Sequence, residues 1–209
     1  MDQNEKRKPP EKFSDLFKSS WVKSAIKIGI ILTIAGLIIL PIFKFFNLGS
    51  DQLFLNTARF IVEYGLVGIL FATILAGTLV PLGSPALVTV AALFGIPKIP
   101  LILVATIGFT VGVMINYGLA YHLGRPYVMK KVTAERLEEI TLLWGRWGWV
   151  LYTIFGLIPV LPVELLSLFC GLLKTRLDIF LILSFTPRLV VFTILAYFGE
   201  IAGSWIGLI

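Results

Sequence analysis

Two charged residues, Glu164 and Arg188, fall inside long apolar stretches of this 209-residue chain. An uncompensated charge at the centre of a bilayer costs at least about 2.5 to 3.5 kcal/mol on insertion scales. A carboxylate and a guanidinium at that depth must therefore pair or face a water-filled cavity. The sequence predicts that Glu164 and Arg188 meet, or line one polar cavity. Such a pair offers a cation for an oxyanion and a carboxylate for a cation or proton, or simply ties two helices together. Around it stand residues that disturb regular helix: Pro159 and Pro162 before Glu164, and Pro81, Gly83, Ser84 and Pro85 earlier in the chain. Asn116 brings a buried amide, and His122 and Cys170 are the only histidine and the only cysteine. One cysteine excludes an intrachain disulfide and any multi-cysteine metal site. No H-E-x-x-H motif and no acidic pair suited to Mg²⁺ is present, so neither an enzyme nor a bound metal or organic cofactor is expected.

The elements that must position these residues follow from composition. The chain is 57% hydrophobic and 14% charged, with a mean hydropathy of +0.93. That balance, in several long apolar runs, predicts an all-α integral membrane protein with one membrane domain. The net charge of +6 comes from lysines and arginines at the N-terminus and between apolar segments. This is the distribution of cytoplasmic loops rather than of a nucleic-acid-binding face. No cleavable signal peptide is expected, because the first apolar run begins only near Ser24.

Residues 1–23 read as a basic cytoplasmic segment, with Phe13, Leu16, Phe17 and Trp21 at helical spacing for a membrane surface. A first transmembrane helix is predicted over 24–46, with its N-terminal end cytoplasmic. Proline removes a backbone donor and clashes with the preceding turn, so neither Pro81–Pro85 nor Pro159–Pro162 suits an unbroken helix. Unpaired backbone at membrane depth is tolerated only where protein or a cavity surrounds it. Residues 64–97 and 149–173 are therefore each read as a re-entrant hairpin of two short limbs. Transmembrane helices follow at 99–123 and 177–198, the second interrupted by Thr186-Pro187-Arg188. In the first, Gly108 and Gly112 form a small face that lets another backbone come close. A cytoplasmic loop is predicted over 124–148, with a short helix carrying Leu137, Ile140 and Trp144 on one face. The first hairpin enters from outside and the second from inside. Hairpin-then-span thus occurs twice in opposite orientation, an inverted-topology repeat with its expected site at the broken segments.

The motif Gly156-x-x-Pro159-x-x-Pro162-x-Glu164-x-x-Ser167-x-x-x-Gly171 resembles the second signature of the DedA-type, or VTT-domain, membrane proteins (the SNARE-associated Golgi protein group). Pro81 to Gly95 is similar to their first re-entrant motif, and Gly112 to Arg125 to their glycine-rich span end. Trp147-Gly148 matches the approach to the second motif. The resemblance covers about residues 55–200. Family members commonly carry an arginine just before the proline motif, where this chain has Gly156 or Leu157, and an acidic residue in the first motif, where Ser84-Pro85 stands. Those charges are not carried over. Here Glu164 and Arg188 supply charge from other positions.

The resemblance implies movement of lipid between leaflets, of phospholipid or of a polyprenyl phosphate, by a flippase- or scramblase-like transporter. The residues expected at the head-group site are Glu164, Arg188, Pro159, Pro162, Gly83, Ser84, Pro85, Asn116 and Arg125. Membrane lipids are then the partners, with a homo-oligomer as a further expectation and no nucleic acid. The expected location is the plasma membrane of a prokaryote, multi-pass, with a cytoplasmic N-terminus. Two other readings stand beside this one: a proton- or ion-coupled small-solute transporter, and a structural or assembly factor that transports nothing.

Overall fold

A computed structural model describes residues 52–78, 84–129, 134–159, 161 and 163–206, together with six helical positions between Lys23 and Ile38. The predicted N-terminal segment, most of the first transmembrane helix, Pro81 to Gly83 and Pro162 lie outside the described residues. All described elements are helical: α1 (Gln52–Gly77), α2 (Ser84–Leu93), α3 (Lys98–Met129), α4 (Ala134–Leu157), α5 (Val163–Leu172) and α6 (Leu177–Ile206).

Among the described residues, two helices are long and apolar enough to cross a membrane, over Lys98–Gly124 and Leu177–Trp205. At 1.5 Å per residue each exceeds a hydrocarbon core of about 30 Å. By the same rise α2 and α5, of 10 residues each, reach only about 15 Å, half that thickness. The short apolar helices fall where the sequence predicts broken segments: Glu63–Gly77 with Ser84–Leu93, and Trp147–Leu157 with Val163–Leu172.

Several boundaries differ from expectation. Gly65 sits in the left-handed region (φ 49°), so α1 bends where the sequence turns fully apolar. Gly124 (φ 64°) bends α3 at the predicted end of its span, and the chain continues helical to Met129. Within the expected loop over 124–148, where a short helix is predicted, the chain is helical from Ala134, and that helix runs on without a break into the limb ending at Leu157. Pro187 does not interrupt α6. Gly156 on α4 lets the two helices pack closely at that ring, since Pro187 Cβ lies 2.8 Å from where a Cβ on Gly156 would stand. The expected span over 177–198 therefore runs on to Ile206.

Close backbone packing organises the bundle. A Cβ on Gly112 would collide with the Ile74 carbonyl and with Gly77, and one on Gly108 with Thr73 and Leu70. The predicted small face of α3 is thus filled by α1. Gly171 of α5 abuts Tyr117 and Ala120 of α3, and Gly199 of α6 abuts Thr89 and Ala92 of α2. Each long helix is flanked by the limb that precedes it in the chain and by the short helix of the other half: α3 by α1 and α5, α6 by α4 and α2.

The turns entering the long helices share one hydrogen-bond pattern. After α2, the N–H of Gly95 donates to Ala92 O (3.0 Å) and that of Ile96 to Ala91 O (3.1 Å). After α5, Lys174 N–H donates to Gly171 O (3.1 Å) and Thr175 N–H to Cys170 O (2.9 Å). Both are left-handed C-terminal caps, which satisfy carbonyls that have no intrahelical partner. Gly95 adopts the required φ of 83° freely, whereas Lys174 holds 51° as a non-glycine residue. Hydroxyls in the apolar interior turn back on their own helices: Thr73 to Ile69 O, Thr106 to Ile102 O and Ser184 to Phe180 O.

Candidate functional site

Glu164 lies in the first turn of α5, immediately after the second proline break. Arg188 lies mid-way along α6, the twelfth residue of that helix. The fold brings them together. Arg188 Nη2 stands 3.7 Å from Glu164 Oε1, with 1% and 20% of the respective side chains exposed. That separation is an ion pair but exceeds the 2.7–3.2 Å of an N–H···O hydrogen bond. The Nε and Nη1 atoms of Arg188 are buried and have no hydrogen-bond partner. A charge buried with donors unmet carries a substantial desolvation cost, offset only by its pairing.

Phe109 supplies the remaining contact. It is the twelfth residue of α3, the position Arg188 holds in α6. Its ring centroid lies 4.4 Å from the guanidinium carbon, a cation–π contact in the buried interior. Phe192, one turn beyond Arg188, meets the same ring edge-on at 6.1 Å. One face of the guanidinium is therefore covered.

The first break is tied to the same place. Gly77 ends α1, and a Cβ there would lie 2.5 Å from the Phe109 carbonyl and 3.0 Å from Gly112 Cα. Asn116, 1% exposed, donates from Nδ2 to the Gly77 carbonyl at 3.1 Å. That carbonyl belongs to the last turn of a helix, where no intrahelical donor exists. A continuous set of contacts thus runs from the end of α1 through Phe109 and Arg188 to Glu164 at the start of α5. The other described charged side chains from α1 to α6 (Glu63, Lys98, Asp178 and Glu200 in helices, Lys174 and Arg176 in the turn between α5 and α6) lie near helix ends, in that turn or beside the Gly65 bend.

The remaining sequence-predicted residues divide. Ser84 opens α2, is buried, and has no partner for its hydroxyl. Pro85 follows in the first turn, where a missing N–H costs nothing, and its carbonyl accepts from Thr89 Oγ1 at 2.9 Å. Asn116 belongs to the site through Gly77, and its Oδ1 is a second buried acceptor without a partner. Pro159 lies in the break and is half-buried. Gly83 and Pro162 lie outside the described residues, as does the side chain of Arg125. His122 is exposed, its ring 5.3 Å from that of Tyr121, and Cys170 is buried in the apolar core.

Sequence reading missed Phe109 and Gly77. An apolar ring beside an arginine leaves no trace in spacing. The sole available sign was that Phe109 lies within the Gly108–Gly112 face already marked for close packing. Also missed was the tie between Lys98 and Glu200, whose Nζ and Oε2 are 2.6 Å apart, with Lys98 4.4 Å over the Tyr197 ring.

No curated protein and no solved structure matches the chain. The family described as the VTT domain matches residues 80–201, which include α2, α3, α4, α5 and all but the last turn of α6. That match spans more than half of the sequence and contains Glu164, Arg188, Phe109 and Asn116. The chain belongs to the VTT-domain family, the DedA and SNARE-associated Golgi protein group of membrane-associated proteins.

Proposed function

We propose that this protein moves lipid between membrane leaflets, its head group passing a site between two opposed re-entrant hairpins. The hairpins are the broken pairs α1–α2 and α4–α5, which together with α3 and α6 make an inverted-topology repeat. The observation that carries this reading is the buried Arg188, held at about half the length of a membrane-crossing helix with Nε and Nη1 unpartnered. An arginine there needs an oxyanion to complete it, and phosphate is a group that guanidinium binds well. The shared turn geometry after α2 and α5 supports the repeat, as does the exchange of short helices between halves. Tails stay among lipid chains, while the head group takes the polar route that the broken helices offer.

The substrate on this reading is a phospholipid or a polyprenyl phosphate, without bond-making chemistry and without a metal or organic cofactor. Membrane lipids are the partners. The location is a prokaryotic plasma membrane with the N-terminus cytoplasmic. Reconstitution into liposomes with acyl-chain-labelled phospholipid tests the reading through protein-dependent leaflet exchange that Arg188→Ala abolishes in a folded variant. Exchange no faster than in empty liposomes would favour a structural or assembly role. Uptake of solute driven by an ion gradient would favour a solute transporter with Glu164 as its ion site.

A further inference from the structure

We infer that the Glu164–Arg188 pair selects a zwitterionic phospholipid head group, one carrying an ammonium as well as a phosphate. The inference rests on the lipid-transport reading and narrows its substrate class. The argument is one of charge. Arg188 and Glu164 sum to zero, and the other described charged side chains from α1 to α6 lie near helix ends, in the turn between α5 and α6 or beside the Gly65 bend. A phosphate that takes the unpartnered Nε and Nη1 of Arg188 competes with Glu164 for the same cation. If the head group brings only negative charge, the bound state leaves two anions sharing one cation in a medium of low polarity, which is strongly unfavourable. A head group that also carries an ammonium gives Glu164 a new partner. The site is then neutral both empty and filled.

The geometry suits this exchange. At 3.7 Å the pair has no hydrogen bond to break between Nη2 and Oε1. Arg188 is fixed from one face by the Phe109 ring at 4.4 Å, so the incoming oxygen meets an oriented edge. Glu164 keeps 20% of its side chain exposed while Arg188 keeps 1%, so the carboxylate is the member still open to a second ligand. Opposite charges fixed side by side therefore present a dipolar ligand with its complement, phosphate toward α6 and ammonium toward α5.

The test uses the full chain in liposomes holding acyl-chain-labelled phosphatidylethanolamine or phosphatidylglycerol, read by quenching of the outer leaflet. Phosphatidylethanolamine is expected to exchange about tenfold or more faster, a preference set by the difference between two binding free energies. Glu164→Gln is expected to erase that preference by slowing phosphatidylethanolamine while sparing or speeding phosphatidylglycerol. Equal rates for the two lipids in the unaltered protein, or a preference that survives Glu164→Gln, would overturn the inference while leaving lipid transport standing. A second readout does not need transport: thermal unfolding in detergent with glycerophosphoethanolamine or glycerophosphoglycerol. A rise in Tm with the first alone, lost in Glu164→Gln, supports head-group selection even if no lipid exchanges, in which case transport is what falls. No rise with either compound, or equal rises, overturns the selection.

Discussion

Arg188 is the residue whose surroundings decide most. Breaking a buried ion pair by removing one partner costs about 3 to 5 kcal/mol, whereas replacing both partners by apolar groups is often neutral. Glu164 keeps 20% of its side chain exposed, so the carboxylate left behind is not wholly cut off from solvent, and Arg188→Leu is expected to cost the lower part of that range, about 3 kcal/mol. The double variant Glu164→Leu/Arg188→Leu should recover most of that loss in thermal unfolding yet remain inactive in leaflet exchange. Recovery of both stability and exchange would show that the pair serves packing alone. Phe109→Leu keeps an apolar side chain but removes the ring that faces the guanidinium. It is expected to lower stability by about 2 kcal/mol, since a desolvated cation–π contact is worth that much. Chemical denaturation of the purified protein measures it.

Among the elements, the two C-terminal caps make a comparison that nature has already half performed. Gly95 and Lys174 occupy the same left-handed position after α2 and α5. A side chain in that conformation costs about 1 to 2 kcal/mol, so Gly95→Ala should destabilise by that amount. Lys174 offsets part of the same strain by lying 5.4 Å over the Tyr121 ring. Gly112 allows no such compromise, because Ile74 O and Gly77 occupy the space any Cβ would need. Gly112→Val is therefore expected to separate α1 from α3 and abolish recovery of folded protein, read by size-exclusion chromatography in detergent. The tie between Lys98 and Glu200 is partly exposed at both ends. Glu200→Gln should cost no more than about 1 kcal/mol in the same unfolding assay.

Taken as a whole, the molecule places each short helix against the long helix of the other half. If the two broken pairs are opposed hairpins, the turns after α2 and α5 face opposite sides of the membrane. Single cysteines introduced at Lys98 and at Lys174, in a Cys170→Ser background, should then react with an impermeant thiol reagent from opposite sides of sealed vesicles. Labelling of both from one side would remove the inverted repeat and with it the midplane site.

Much of this was legible in the residues alone. Prolines and glycines mark the breaks because they alter the backbone itself, and long apolar runs mark spans because the bilayer sets their length. Glu164 and Arg188 could be paired on paper because few other charges had any reason to lie so deep. The close packing of Pro187 against Gly156 was not legible, since it brings together residues of two different helices. Nor was Phe109, whose role exists only because α3 and α6 cross with their twelfth residues in contact. Local backbone chemistry and solvent preference act within a few residues and are written in order along the chain. Which side chain lies against which depends on helix crossings between segments far apart in sequence, and only the tertiary structure decides that.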